Sequence, residues 1–141
     1  MKTVLFLVFS LFLGSAALAQ IPWSPPLNSP LDGVWRSTDP TQISPLMSVN
    51  TGLRINKNIL EVTAFCLTSA GQKMSATVAT PIAIRNGEIH ILQARYANTF
   101  LFGLNCTATT TRTILYYNLI GDQLELYDYQ TGNDFNFRRI F

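Results

Sequence analysis

Beyond Asp32 the chain alternates apolar and polar residues at a period of two, in short runs separated by turn residues. That pattern predicts half-buried strands, and no stretch long enough for a stable helix keeps a helical period. Leu53 and Ile55 share one face with Arg54 on the other, and Asn56-Lys57-Asn58 turns the chain into Leu60, Val62, Ala64 and Cys66. Met74, Ala76 and Val78 alternate with Lys73, Ser75 and Thr77. Pro81 then interrupts; because proline cannot donate to a ladder, a bulge or an edge position is expected there. Ile82 and Ile84 carry the strand on to Asn86-Gly87, a strong hairpin signal. Ile89 and Ile91 alternate with Glu88 and His90 up to Arg95 and Tyr96, and a loop is expected over 98–105. Residues 107–119 form one long β-branched and aromatic run that Gly121-Asp122 turns. Leu124 and Leu126 alternate with Gln123 and Glu125, and Thr131-Gly132-Asn133-Asp134 introduces a last strand with Phe135 and Phe137 inward.

Counting from Val34 gives about eight strands joined by short turns, an all-β antiparallel up-and-down meander. An open meander of this size would leave two long unpaired edges, so its first and last strands are expected to pair and close a roughly eight-stranded barrel. The interior of such a barrel is either just filled by side chains or able to hold one small ligand. Function turns on that difference.

The N-terminus changes the compartment. Lys2 precedes an apolar run over 4–13, and Ser15-Ala16-Ala17-Leu18-Ala19 offers a small-residue cleavage site, the layout of a secretory signal peptide over 1–19. The apolar run is about half the roughly 20 residues needed to span a bilayer, so no stable membrane anchor is expected. Gln20 stands at the cleavage point where a bacterial lipoprotein would carry cysteine. The expected location is therefore secreted or periplasmic. A proline-rich leader over 20–31 follows, in which Trp23 and Leu27 could dock on the domain or ride on a spacer, and the barrel domain takes 32–141.

Loss of Lys2 from ten basic residues, against eight acidic ones, leaves a charge near +1 with the basic side chains scattered. Nucleic acid is a poor partner for such a surface. Cys66 and Cys106 are the two cysteines of the chain, and export places them where a pair closes into a disulfide.

Gly33-Val34-Trp35 resembles the Gly-x-Trp opening of the lipocalins, in which a tryptophan of the first strand packs across the closed end of an eight-stranded barrel. In that family an arginine of the last strand lies over this tryptophan. Arg138 and Arg139 stand on the final strand here, and either could supply that cation against Trp35. The resemblance covers the barrel topology rather than the later family motifs, and it implies a small apolar ligand in the barrel mouth.

Candidate chemistry is sparse. His90, the single histidine, points outward by phase; Glu61, Glu88, Asp122 and Glu125 fall on outer faces or turns. No acid/base pair, no Gly-x-Ser-x-Gly elbow and no metal-ligand spacing is present, so neither an enzyme nor a cofactor is expected. Tyr116, Tyr117, Tyr127 and Tyr129 cluster on the strands flanking Gly121-Asp122, where cross-strand pairing explains them as well as a protein partner does. Asn105-Cys106-Thr107 matches a glycosylation acceptor, hindered if Cys106 is bridged. Continuing the phase of Ile89 and Ile91 points Gln93 and Arg95 inward, with Arg95 as a polar anchor for a ligand head group; the other reading is a strand end where the phase has slipped. The expected function is binding of a small, largely apolar ligand. The walls would be Leu53, Ile55, Val62, Met74, Val78, Ile89, Ile91, Leu124, Leu126 and Phe137, with Ala64 and Ala76 leaving room. The other reading is a protein-interaction module, such as an inhibitor of a secreted enzyme or a structural envelope protein, with Trp35, Met74, Phe135 and Phe137 meeting across a filled axis.

Overall fold

The computed structural model describes residues 29–140; the signal-peptide segment, Trp23 and Leu27 lie outside the described residues. Eleven strands and no helix make up the described part. They are β1 (Gly33–Ser37), β2 (Thr41–Ser44), β3 (Met47–Asn56), β4 (Ile59–Thr68), β5 (Lys73–Arg85), β6 (Glu88–Ile91), β7 (Arg95–Leu101), β8 (Leu104–Thr110), β9 (Thr113–Ile120), β10 (Gln123–Asp128) and β11 (Asn133–Arg139).

Eight of these close a barrel. The order is β1, β11, β10, β9, β6, β5, β4, β3, and β3 pairs back on β1 with Trp35 opposite Leu53. First and last strands pair as expected, Trp35 standing opposite Arg139. All ladders are antiparallel, and closure pairs each of the eight barrel strands on both sides over at least part of its length. The short β2 adds to β3 at the rim, and β7 with β8 forms a separate hairpin between β6 and β9.

Pro81 explains where the ladders change. The Ile82 amide donates to the Asn58 carbonyl on the β4 side, so the neighbouring Pro81 faces β6. There its carbonyl accepts from Leu92, but it has no N–H to return, and the β5–β6 ladder stops at the Ile82 and Ile91 pair. The local edge is found; the bulge is not, since Thr80 and Ile82 stay buried on either side in unbroken alternation.

The stretch of β5 before Pro81 is therefore left without a ladder partner on that side, and the β7–β8 hairpin packs over it and over β4. Cys106 and Ala108 of β8 meet Ala64, Cys66, Met74, Ala76 and Val78 in a small core of their own. The Cys66–Cys106 disulfide, with Cα atoms 6.0 Å apart, ties the hairpin down. Thr99 adds a hydroxyl bond to the Ser75 carbonyl at 2.7 Å. Two expectations are corrected by this hairpin. The loop over 98–105 is a pair of strands turning at Phe102-Gly103, and the run over 107–119 breaks at Thr111-Arg112 into β8 and β9.

The main core fills the opposite end. Trp35 is fully buried with Leu31, Ile55 and Leu124 around it, and its indole N–H donates to the Leu31 carbonyl at 3.0 Å. Arg139 stacks on the Trp35 ring at 4.2 Å and donates to the carbonyls of Asp32 and Pro30, each at 2.7 Å. Arg138, the other candidate, points to solvent. Gly33 has φ of 147°, a conformation open to glycine, and it lets the chain turn from Leu31 into β1 under this arginine.

Candidate functional site

The alternation that buries Trp35 at one end leaves the middle of the barrel unfilled. A cavity of about 550 Å³ lies inside, within the range of small-molecule sites. Its wall takes Leu53 and Ile55 from β3, Val62 from β4, and Ile89 and Ile91 from β6. Leu126 of β10 and Phe137 of β11 complete the apolar side, and Ala64 supplies space on β4. These are inward positions of period-two strands, so one periodicity produces both the sheet and the apolar lining.

Several expected wall residues lie elsewhere. Met74 and Val78 are covered by the β7–β8 hairpin, and Leu124 is packed in the Trp35 core. Phe135 has the inward phase but stands at the mouth, 40% exposed, so Trp35, Met74, Phe135 and Phe137 do not meet across the axis. Gln93 and Arg95 do not point inward: both are exposed and outside the lining, and the Arg95 guanidinium donates to Gln93 Oε1. Their phase fails because β6 ends at Ile91, where Pro81 stops the ladder, and the chain leaves the barrel wall.

The mouth is polar and carries groups that the sequence reading omits. Asp128 follows Leu124 and Leu126 at the same period of two, so its inward place was legible in that alternation. It is 8% exposed and lines the cavity. Its Oδ1 accepts from the Thr113 hydroxyl at 3.2 Å and from the Gln130 amide at 3.0 Å, the second bond forming an Asx turn after β10. Thr110 completes this rim: its hydroxyl donates to the Gln93 carbonyl at 3.0 Å and accepts from the Arg95 amide at 3.0 Å. The disulfide-held β8 thus forms one side of the mouth, through residues 107–110.

The remaining candidates sit on the outside. His90 and Glu88 are paired at 2.8 Å on the outer face of β6. Glu61 lies on the outer face of β4; Glu125 accepts from Asn118, and Asp122 lies 3.6 Å from Arg139 in the β9–β10 turn. Tyr116 and Tyr127 stand opposite each other on β9 and β10, with Tyr129 edge-on to both at 6.0 and 5.9 Å. Tyr117 turns inward against the core. Asn105 accepts from Asn98, beside the bridged Cys106. Among the described residues no group of three or more His, Cys, Asp and Glu is arranged to hold a metal ion. No helix among them is long and apolar enough to cross a membrane.

Comparison with known proteins adds no relative: no family model matches the chain, and neither a curated protein nor a solved structure does.

Proposed function

We propose that the protein is an exported, lipocalin-like carrier that holds one small, largely apolar molecule inside its barrel. The observation that supports this is the cavity of about 550 Å³, closed behind by the Trp35 core and lined on its inner side by aliphatic residues and Phe137. A core built only for stability fills such a space, because each unfilled volume forfeits dispersion contacts. Export follows from the signal-peptide pattern and agrees with the Cys66–Cys106 disulfide. A lipocalin-like ancestry is suggested by Gly33-Val34-Trp35 with Arg139 stacked over the indole. Catalysis is not part of the proposal; the cavity is proposed to bind and release its guest unchanged.

The test uses N-phenyl-1-naphthylamine, an uncharged apolar fluorophore. Its emission should rise on mixing with the mature protein and should not rise with Val62→Trp or Thr51→Phe, which place bulk in the cavity from β4 and β3. Equal enhancement by the wild type and both folded variants would place the dye elsewhere and defeat the proposal.

A further inference from the structure

The charged groups that line the cavity are of one sign. Asp39, Asp128 and Asp134 are the three ionisable side chains in its lining, which contains no lysine, arginine or histidine. The domain as a whole carries slightly more basic than acidic residues, so this is a local feature. The neighbouring arginines do not offset it: Arg112 and Arg138 lie outside the lining, Arg36 stacks on the Phe65 ring, and Arg95 turns its guanidinium to Gln93.

Asp128 sets the character of the site. It is more than nine-tenths buried and faces the cavity, and both of its side-chain hydrogen bonds fall on Oδ1. Among the described residues nothing donates to Oδ2. That oxygen is accessible from the cavity and open to a donor that a guest brings. The threonines beside it cannot serve: the Thr113 hydroxyl proton already goes to Asp128 Oδ1 and the Thr110 proton to the Gln93 carbonyl. What these hydroxyls still offer a guest is acceptor capacity. Asn133 and Asn136 at the rim can donate or accept and leave the sign of the field unchanged.

We infer that the cavity selects a molecule with an apolar body and a cationic head, a protonated amine whose N–H groups meet Asp128 at the mouth. An ammonium brings three donors and no acceptor, which matches this rim. Its bond to a carboxylate is charge-assisted and roughly twice as strong as a neutral one. A carboxylate guest would face three like charges, and an alcohol would leave them uncompensated. This inference rests on the ligand-binding reading above and adds the chemical class of the guest.

Decylamine, decanol and decanoate share a tail and differ in head. They are titrated calorimetrically into mature protein stripped of bound material, at neutral pH, where the amine is protonated and the acid ionised. Decylamine should bind at least tenfold tighter than decanol, about 1.4 kcal/mol, and decanoate should bind weakest. Asp128→Asn keeps Oδ1 for the Gln130 turn and removes the charge; Asp134→Asn removes the charge of an exposed side chain. Each should shrink the preference for decylamine. Decanol or decanoate binding as tightly as decylamine, or an unchanged preference in both variants, would overturn the inference and leave the cavity reading standing. Absence of binding by all three to folded protein would overturn both.

Discussion

Arg139 should be the most expensive surface-accessible side chain to truncate, because one guanidinium performs three tasks at the closed end. It donates to the Asp32 and Pro30 carbonyls at 2.7 Å and covers the Trp35 ring at 4.2 Å. Asp32 in turn accepts from the Ser29 and Lys57 amides, so the arginine locks a turn that is itself tied to the β3–β4 hairpin. Hydrogen bonds to a charged donor contribute about 1.5 to 3 kcal/mol each, and a cation over an indole about 0.5 to 2. The side chain is 25% exposed, which argues for the low end of each range. Arg139→Met keeps some packing over the indole, so a loss of about 3 kcal/mol is expected. For a domain of this size that lowers the melting temperature by on the order of 12 °C. Arg139→Lys keeps the charge but not the planar fork and should lose about half as much. Urea unfolding of the mature protein, followed by tryptophan fluorescence, gives the values, with exposed Arg138→Met as the control within about 0.5 kcal/mol. Equal effects of Arg138→Met and Arg139→Met, or a loss under about 1 kcal/mol for the latter, would refute the clamp.

Two other perturbations probe the scaffold. Reducing Cys66–Cys106 opens a chain loop of 40 residues and should lower stability by roughly 3 to 4 kcal/mol. It should also weaken binding of the naphthylamine probe by loosening the β8 side of the mouth; thiol titration of native protein should find no free thiol, and two would contradict the structure. Gly52→Ala places a Cβ 2.7 Å from the Phe65 ring, which also carries the Arg36 guanidinium at 4.1 Å. The substitution should cost about 1 kcal/mol alone and become neutral or stabilising in a Phe65→Ala background, a coupling that a double-mutant unfolding cycle measures.

Much of the barrel was legible because its turns and alternation agree. Asn86-Gly87 and Gly121-Asp122 both turn hairpins where expected, and Lys57 takes the positive φ of 58° that its turn requires. The β7–β8 hairpin was not legible, for a physical reason. Its aromatic residues Tyr96, Phe100 and Phe102 face solvent, while small residues Ala97, Cys106 and Ala108 face the core. The hydrophobic pattern there runs against burial, and Thr111-Arg112 gives no glycine or proline to mark the break before β9.

The site divides in the same way. Leu53, Ile55, Val62, Ile89, Ile91, Leu126 and Phe137 line the cavity because alternation holds on long, paired strands. Gln93 and Arg95 were misplaced because alternation was extended past the end of β6, which Pro81 on a neighbouring strand determines. A break imposed from another strand leaves no mark in the local sequence. Asp128 was overlooked although the same alternation reaches it from Leu126. The cavity itself depends on how far eight strands stand apart and on which side chains cross the axis, and neither is encoded in any single segment.

The central claim is that the barrel carries a guest. Native mass spectrometry of the protein, purified from its native host and followed by denaturing extraction, tests this most directly. The account predicts a reproducible small molecule with an apolar body on the wild type and none on folded Val62→Trp. A clean apo mass for the wild type, with no uptake from a total lipid and metabolite extract, would contradict it.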